Sequence, residues 1–388
     1  MNQEGQGLLD WLRGRTGEMT DLLGRLASAE SPSLDPQAQG EARAILEAEL
    51  SGLDLSVELL PGRETGDHLL ATAPNGDGGE PIQLLLGHLD TVWPVGTLTT
   101  MPVRIEDGLL YGPGVFDMKG GLVQMIFALR ALAEHGIEPA YRPVVLVNAD
   151  EEIGSRDSRR HVERLAREAA RVLVAEPAYG PAGKLKTARK GVGSFTLTVQ
   201  GVASHAGLDP EAGVSAILEL SHQVQRLFAL NDPDRGITVN VGTIDGGLRP
   251  NVIAPEAVAR IEARVVDAED AALVDEQIRG LEPIADGVSL QVEGRFGRPP
   301  LERTPRNRAL WRLARDAATE LEIEIDEALA GGGSDGNVAS AFAATLDGLG
   351  AVGDGAHAEH EHVIVELMPE RAALLALLLA TPLSAPPT

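Results

Sequence analysis

Three short runs of almost purely aliphatic residues constrain this chain more than any other feature. They are Ile82-Gln83-Leu84-Leu85-Leu86, which follows Pro81 and stops at Gly87, then Pro143-Val144-Val145-Leu146-Val147, then Val172-Leu173-Val174. Runs this short, apolar without alternation, offer water no polar face, so they read as strands covered on both sides. Helical spacing of apolar residues fills the intervals at 120–133 and 158–170, and earlier at 8–26 and 35–50. Strands that alternate with helices predict an α/β domain built on a largely parallel sheet.

The pattern changes near Lys186. Residues 194–199 alternate like a half-buried strand, and helical spacing follows at 213–230. Strands are predicted at 238–244 and 257–266, a helix at 269–281 and a strand at 288–294. Strand, helix, strand, strand, helix, strand is the split order of a ferredoxin-like α+β fold. Helical spacing returns at 307–321 and 371–380, and residues 384–388 read as a frayed tail. The expected organisation is a larger domain in two parts, 1–188 and 299–388, interrupted by a smaller inserted domain at 189–298.

Composition limits the chemistry. The chain has 388 residues, with 33 Lys and Arg against 58 Asp and Glu, a formal charge of −25. Such a surface repels nucleic acid and anionic lipid, and an anionic substrate would need a local cationic site. No cysteine is present, so a metal site must use His, Asp and Glu. The longest apolar stretch, 372–380, is too short to span a bilayer, and the first residues lack a basic segment followed by an apolar core. The sequence-based expectation is a cytoplasmic protein with no membrane or nucleic-acid partner.

Each buried run ends in residues able to hold a metal. His88 and Asp90 follow the first, Asp150-Glu151-Glu152 the second and Glu176 the third. Ligands of open α/β sheets bind at the carboxyl ends of the strands. Asp117 joins from the glycine-rich segment Tyr111-Gly112-Pro113-Gly114-Val115-Phe116-Asp117-Met118-Lys119-Gly120-Gly121, just before a predicted helix, where it could instead be an N-cap. If Asp90, Asp117, Glu151, Glu152 and Glu176 converge, five carboxylates share one cleft and cannot all ionise near neutral pH unless cations neutralise them. Oxygen and imidazole donors without thiolates suit zinc and admit manganese or cobalt.

In this order, these motifs resemble the co-catalytic zinc exopeptidase family of glutamate carboxypeptidase, acetylornithine deacetylase and succinyl-diaminopimelate desuccinylase. The resemblance runs from about residue 84 to 370. It implies two zinc ions: His88 as a ligand oriented by Asp90, Asp117 as a bridge followed by a cis peptide to Met118, Glu152 on the second ion, Glu176 on the first, and Glu151 as general base. The remaining ligand is expected at His357 in Gly353-Asp354-Gly355-Ala356-His357, with Glu361 and Val363 following; His360 and His362 are nearby competitors.

In the insertion, Ser204-His205-Ala206-Gly207 resembles a motif whose histidine stabilises the oxyanion across a dimer interface; otherwise it reads as a turn histidine capped by Ser204. Asn240 resembles an asparagine that contacts substrate, with Asn251 beginning the Asn-Val-Ile that follows. Gly297-Arg298-Pro299 resembles the segment whose arginine grips a carboxylate, Arg295 being the alternative. Gly331-Gly332-Gly333-Ser334-Asp335-Gly336 resembles a loop whose N–H groups bind the same carboxylate, with Gly332 and Gly333 at its centre. His68, His135, His161 and His222 are expected to be ordinary surface or helix histidines.

The resemblance implies a homodimeric metallopeptidase that hydrolyses a small peptide or N-acyl amino acid and releases an amino acid with a free carboxylate. Glutamate carboxypeptidase is favoured by the Ala-Arg-Lys-Gly before the insertion and the Gly-Arg-Pro leaving it, and an N-acyl amino acid deacylase is the alternative. A non-catalytic binder on this scaffold would be expected to have lost a ligand or Glu151, and neither is missing.

Overall fold

A computed structural model describes residues 3–73 and 81–383. The predicted tail at 384–388 lies outside the described residues. The described residues form two compact units: a larger one within 1–187, 303–330 and 334–388, and a smaller one of residues 188–302 and 331–333.

The larger unit is built on a six-stranded mixed sheet. Its strands run in the order Ser56–Leu60, His68–Thr72, Arg142–Asn148, Ile82–His88, Ala169–Val174, Ala344–Leu346. The last four are mutually parallel, and the first two add an antiparallel margin. The three aliphatic runs therefore lie side by side in the middle of the sheet. Their lack of alternation has a direct cause. Leu85, Val145, Val147 and Leu173 face one apolar cluster with the helices Gly120–His135 and Met368–Ala380. Leu84, Leu86, Val144, Leu146, Val172 and Val174 face another, under the helix Arg159–Glu168.

The helix Gly120–His135 is buried around its whole circumference from Gly120 to Leu129. Gly121 permits this: a Cβ there would meet the Ala175 carbonyl oxygen at 1.8 Å. Only glycine lets the helix start against the strand end that carries Glu176, which brings Asp117 beside it.

Several expectations need correction. The single helix predicted at 8–26 is two helices, Gln3–Arg13 and Thr16–Ser28. Gly14 is a poor helix former, and Arg15 leaves helical geometry at φ −118, ψ 16. The helix predicted from residue 35 begins at Gln39, because the Asp35 carboxylate accepts from the N–H groups of Gln37 and Ala38 and holds a turn. The helix predicted to residue 170 ends at Glu168, and Ala169 already belongs to the next strand.

Sequence reading missed the strands Ser56–Leu60 and His68–Thr72, and with them the place of His68. That histidine is fully buried, not a surface residue. Its Nδ1 accepts from the Ala149 N–H at 3.2 Å, and its ring lies 5.9 Å from that of His161. Burial pushes the His68 imidazole down from its ordinary range, and burial followed by the neighbouring Arg160 pushes His161 down to about 4.

A small antiparallel sheet was also unforeseen. It orders Gly353–Asp354, His362–Ile364, Leu109–Tyr111 and Arg104–Glu106. Pairing of His362–Ile364 with Leu109–Tyr111 brings the loop carrying His357 to the segment that leads into Asp117.

In the smaller unit, a four-stranded antiparallel sheet has the order Thr238–Gly246, Glu256–Val265, Gly191–Gln200, Ser289–Arg298. The helices Ala216–Phe228 and Ala268–Arg279 cover one face, packing on Phe195, Leu197, Ile261 and Val265. Ser215 and Asp267 cap those helices by accepting from the N–H groups of Leu218 and Asp270. The opposite face is open. Cross-strand register places Asn240, Glu262, Ser194 and Arg295 in one row, and Thr238, Arg264, Val192 and Arg298 in the next. A bulge between Phe296 and Arg298 keeps Arg298 in step with Arg295.

Candidate metal centre

Seven side chains singled out from the sequence converge within the larger unit. His88 ends its strand with 1% exposure, and its Nδ1 lies 3.0 Å from the Asp90 carbonyl oxygen and 3.5 Å from Asp90 Oδ1. A carbonyl only accepts, so Nδ1 carries the proton and Nε2 presents a lone pair. Nε2 is buried without a hydrogen-bond partner and faces Asp117 Oδ1 at 3.4 Å and Glu176 Oε1 at 3.5 Å. A lone pair aimed at two carboxylates is repulsive unless a proton or a cation stands between them. Burial alone would push the His88 imidazole down, but Asp117, Asp90 and Glu176 override it and hold it well above its ordinary value.

The second half of the cluster is alike. His357 Nε2 lies 3.1 Å from Glu152 Oε2 and 3.6 Å from Asp117 Oδ2. Glu152, beside it, raises the His357 imidazole to about 9. Burial pushes the Glu152 carboxyl up. His357 itself has a φ of +61, a backbone conformation rare for a non-glycine residue, set in the loop after Gly355. His360 and His362 stand apart: the His362 ring lies 5.2 Å from that of Tyr111 and tilted to it, and its Nδ1 lies 2.9 Å from the His360 carbonyl oxygen.

Donor atoms of His88, Glu151 and Glu176 all lie within 4.8 Å of one another, and so do those of His88, Asp117 and Glu152. The donor set, its orphaned imidazole nitrogen and its excess of carboxylates fit divalent cations. Glu151 is itself a member of the first group, so its carboxylate reaches the same point as His88 and Glu176.

Asp90 does more than orient His88. It is fully buried, accepts from Ser33 Oγ at 2.6 Å, and accepts the backbone N–H groups of Glu151 and Glu152 at 3.2 Å each. Asp90 thus meets the imidazole through its backbone carbonyl and holds the loop of Glu151 and Glu152 through its carboxylate. Asp150 turns away from the cluster and accepts the N–H groups of Asp157 and Ser158. Asp117 caps no helix; its peptide bond to Met118 is cis.

Residues expected to bind substrate lie in the smaller unit. The exposed His205 uses its own Nδ1, not Ser204, to close its turn: Nδ1 accepts from the N–H groups of Gly207 and Leu208 at 3.1 Å each. That leaves the proton on Nε2, which is then a donor. Asn240 is exposed, Arg298 is half-buried, and both sit on the open face of the sheet. Asn251 is exposed, and its carbonyl accepts from the Ala206 N–H behind the His205 turn. Arg264, which sequence reading passed over, lies in the row of Arg298 and donates from a terminal nitrogen to the Gly331 carbonyl at 2.7 Å. A Cβ at Gly331 or Gly332 would meet nothing within 4 Å, so packing does not require glycine there. Ser334 and Asp335 are committed elsewhere. Ser334 caps the helix Asp335–Ser340, while Asp335 accepts from Asn148 and Ser155.

Among the described residues no helix is long and apolar enough to cross a membrane. The sequence profile of peptidase family M20/M25/M40 matches residues 84–381. Carboxypeptidase G2 of Pseudomonas sp. (strain RS-16) is 31% identical over 371 residues, which cover 92% of this chain and 87% of that one. Among solved structures, the aminopeptidase PepT of Bacillus cereus ATCC 10987 superposes with a TM-score of 0.76 at 22% identity, covering 94% of this chain and 98% of its own. A dinuclear metal-binding peptidase of the M20 family from Bacillus subtilis does so with a TM-score of 0.69 at 15% identity, covering 96% and 98%. The last two likenesses show the fold.

Proposed function

The chain belongs to peptidase family M20/M25/M40, whose members are metallopeptidases, and from that premise we propose that it is a two-zinc carboxypeptidase that releases a C-terminal amino acid, glutamate foremost, from an acyl or aminoacyl amide. The observation that carries this reading is the unpartnered His88 Nε2 facing Asp117 and Glu176, with His357, Glu152 and Glu151 around them. The similarity to a carboxypeptidase over most of both chains supports the choice of bond.

In this reading His88 and Glu176 would hold one ion and Glu152 and His357 the other, with Asp117, which faces both imidazoles, available to each. When bound, such a pair supplies Lewis acidity for the scissile carbonyl and makes a water acidic enough to lose its proton near neutral pH. Glu151 accepts that proton and returns it to the departing nitrogen as the C–N bond breaks. The His205 Nε2–H donates to the developing oxyanion. Asn240 and Arg298 bind the free carboxylate, which suits the planar fork of a guanidinium. Arg264, tied to the first glycine of the Gly331–Gly333 run, is the second arginine to test.

The deciding experiment measures free amino acid released from aminoacyl-glutamates, folate-like conjugates and N-acetyl or N-succinyl amino acids, with added zinc, manganese or cobalt and with chelator. Metal-dependent release of C-terminal glutamate is the expected result. Release only from N-acyl amino acids would move the protein to the deacylases with the metal centre retained. No release by metal-loaded protein would overturn the enzymatic reading.

We also propose a homodimer formed through the smaller unit. The strand Thr238–Gly246 is the last in its sheet, so its outer edge has no partner strand among the described residues. Ile244 is 54% and Leu248 71% exposed, and Ile217 packs toward Gly246 and Gly247 beside them. An exposed apolar edge strand is a site for pairing with a second copy. Light scattering is expected to give twice the chain mass, and Ile244→Lys with Leu248→Lys to give the single chain. A monomeric wild type would count against His205 acting across an interface.

A further inference from the structure

One buried carboxylate has no role in the chemistry above. Glu361 is 1% exposed, and both its oxygens are fully engaged by N–H donors. Oε1 accepts from the backbone N–H groups of Phe116 and Asp117, at 3.0 Å each. Oε2 accepts from the Gly114 N–H and from the Trp93 indole Nε1, at 2.9 Å each. The Glu361 carbonyl accepts in addition from the Gly112 N–H at 3.3 Å. Five donors from two segments thus converge on one residue.

The position of these segments gives the arrangement its meaning. Gly114, Phe116 and Asp117 form the turn that sends the Asp117 side chain toward His88 and His357. Trp93 lies three residues beyond Asp90, in the loop that leaves the His88 strand. Glu361 itself lies four residues beyond His357, and its N–H closes that loop on the Ala358 carbonyl at 3.0 Å. The backbone at Asp117 is irregular, at φ −113, ψ 95 with ψ 30 at Met118, so no helical hydrogen-bond ladder fixes it. The carboxylate supplies the acceptors that a ladder would have supplied.

We infer that Glu361 is a positioning residue: its carboxylate sets the Asp117 turn and fastens it to the loops that carry His88 and His357. The inference rests on the metal-centre reading, since it concerns the aim of those three ligands. Glu361 is not itself a ligand, because its oxygens are turned to backbone and indole N–H groups. A group that only held the fold together would lower stability when altered and leave the affinity of the folded site unchanged. A positioning group lowers the affinity of the folded site, because ligand atoms displaced by a fraction of an ångström no longer converge.

The test uses the full chain with Glu361→Gln, Trp93→Phe and the double variant. Glutamine keeps the size but turns an NH2 group toward N–H donors, so at least two of the four side-chain bonds are lost. Trp93→Phe removes one bond and leaves the other three. Zinc affinity is measured by competition with a chromophoric chelator, and kcat and KM on a substrate the wild type turns over. The thermal midpoint of each metal-free protein is recorded alongside.

Glu361→Gln is expected to weaken zinc binding by about 10- to 100-fold and to lower kcat with little change in KM. Trp93→Phe is expected to weaken zinc binding less, and to add little in the Glu361→Gln background, where that bond is already compromised. Wild-type zinc affinity in folded Glu361→Gln would overturn the inference. If that variant does not fold, wild-type affinity in Trp93→Phe would do so. Failure of the wild-type protein itself to bind zinc would instead overturn the metal-centre reading, so the two failures are distinct.

Discussion

Glu151→Gln is expected to lower kcat by about 10²- to 10⁴-fold while the protein keeps its metal and its KM. The side chain is 8% exposed, and its backbone N–H is held by Asp90 Oδ1 at 3.2 Å, so an isosteric amide should not shift the loop. Glutamine fills the same space but cannot take a proton from water at neutral pH. The remaining carboxylates and both imidazoles stay in place, so metal content should stay as well. Metal content is the sharp part of this prediction. A Glu151 oxygen lies as near His88 and Glu176 as a ligand would. Were Glu151 a ligand, the variant would lose metal together with rate. Steady-state kinetics combined with elemental analysis of the purified variant separates the two outcomes, and unchanged turnover would remove Glu151 from the mechanism.

What could be read from the sequence was whatever depends on one strand or one short motif. Aliphatic runs without alternation announced strands covered on both faces, and Leu84, Leu85 and Leu86 indeed face two different clusters in turn. Ligand candidates at the ends of those runs followed, because neighbouring parallel strands place their carboxyl ends together. The strand, helix, strand, strand, helix, strand order over residues 191–298 was legible because those strands alternate. Contacts between distant segments were not legible. His68 sits in a five-residue strand whose burial comes from pairing with Arg142–Asn148, and nothing local distinguishes it from a loop histidine. Arg264 carries no motif, and its link to Gly331 bridges 67 positions of sequence. Glu361 could be marked as following His357, but its four N–H partners lie more than 240 residues earlier.

The same contrast explains how a chain with a charge of −25 can gather so many acids at one point. Asp117, Glu152 and Glu176 face imidazoles, and Asp90 and Glu361 take backbone N–H groups in place of cations. Among the described residues, Asp117 pairs with His88 and His357, and Glu152 with His357. A site arranged in this way keeps its negative field available for an external cation.

Asp117→Ala should therefore have the largest effect of any single change on metal binding. Its carboxylate faces both imidazoles, with Oδ1 at 3.4 Å from His88 Nε2 and Oδ2 at 3.6 Å from His357 Nε2. Glu176 is paired with His88, and Glu152 with His357. Loss of Glu152 or Glu176 should disable one half of the centre and leave the other able to hold an ion. Loss of Asp117 removes a donor from both halves at once. The expected result is that Glu152→Ala binds about one equivalent of zinc and Asp117→Ala binds neither equivalent tightly. The loss of affinity should exceed the roughly 10- to 100-fold typical of replacing an outer partner of a ligand. Turnover of the Asp117 variant should fall to the level of chelated wild type, with circular dichroism unchanged, because Asp117 contributes no capping bond to a helix. Calorimetric titration of metal-free protein with zinc reads the stoichiometry directly. Two tight equivalents in Asp117→Ala would show that the two halves do not share this carboxylate.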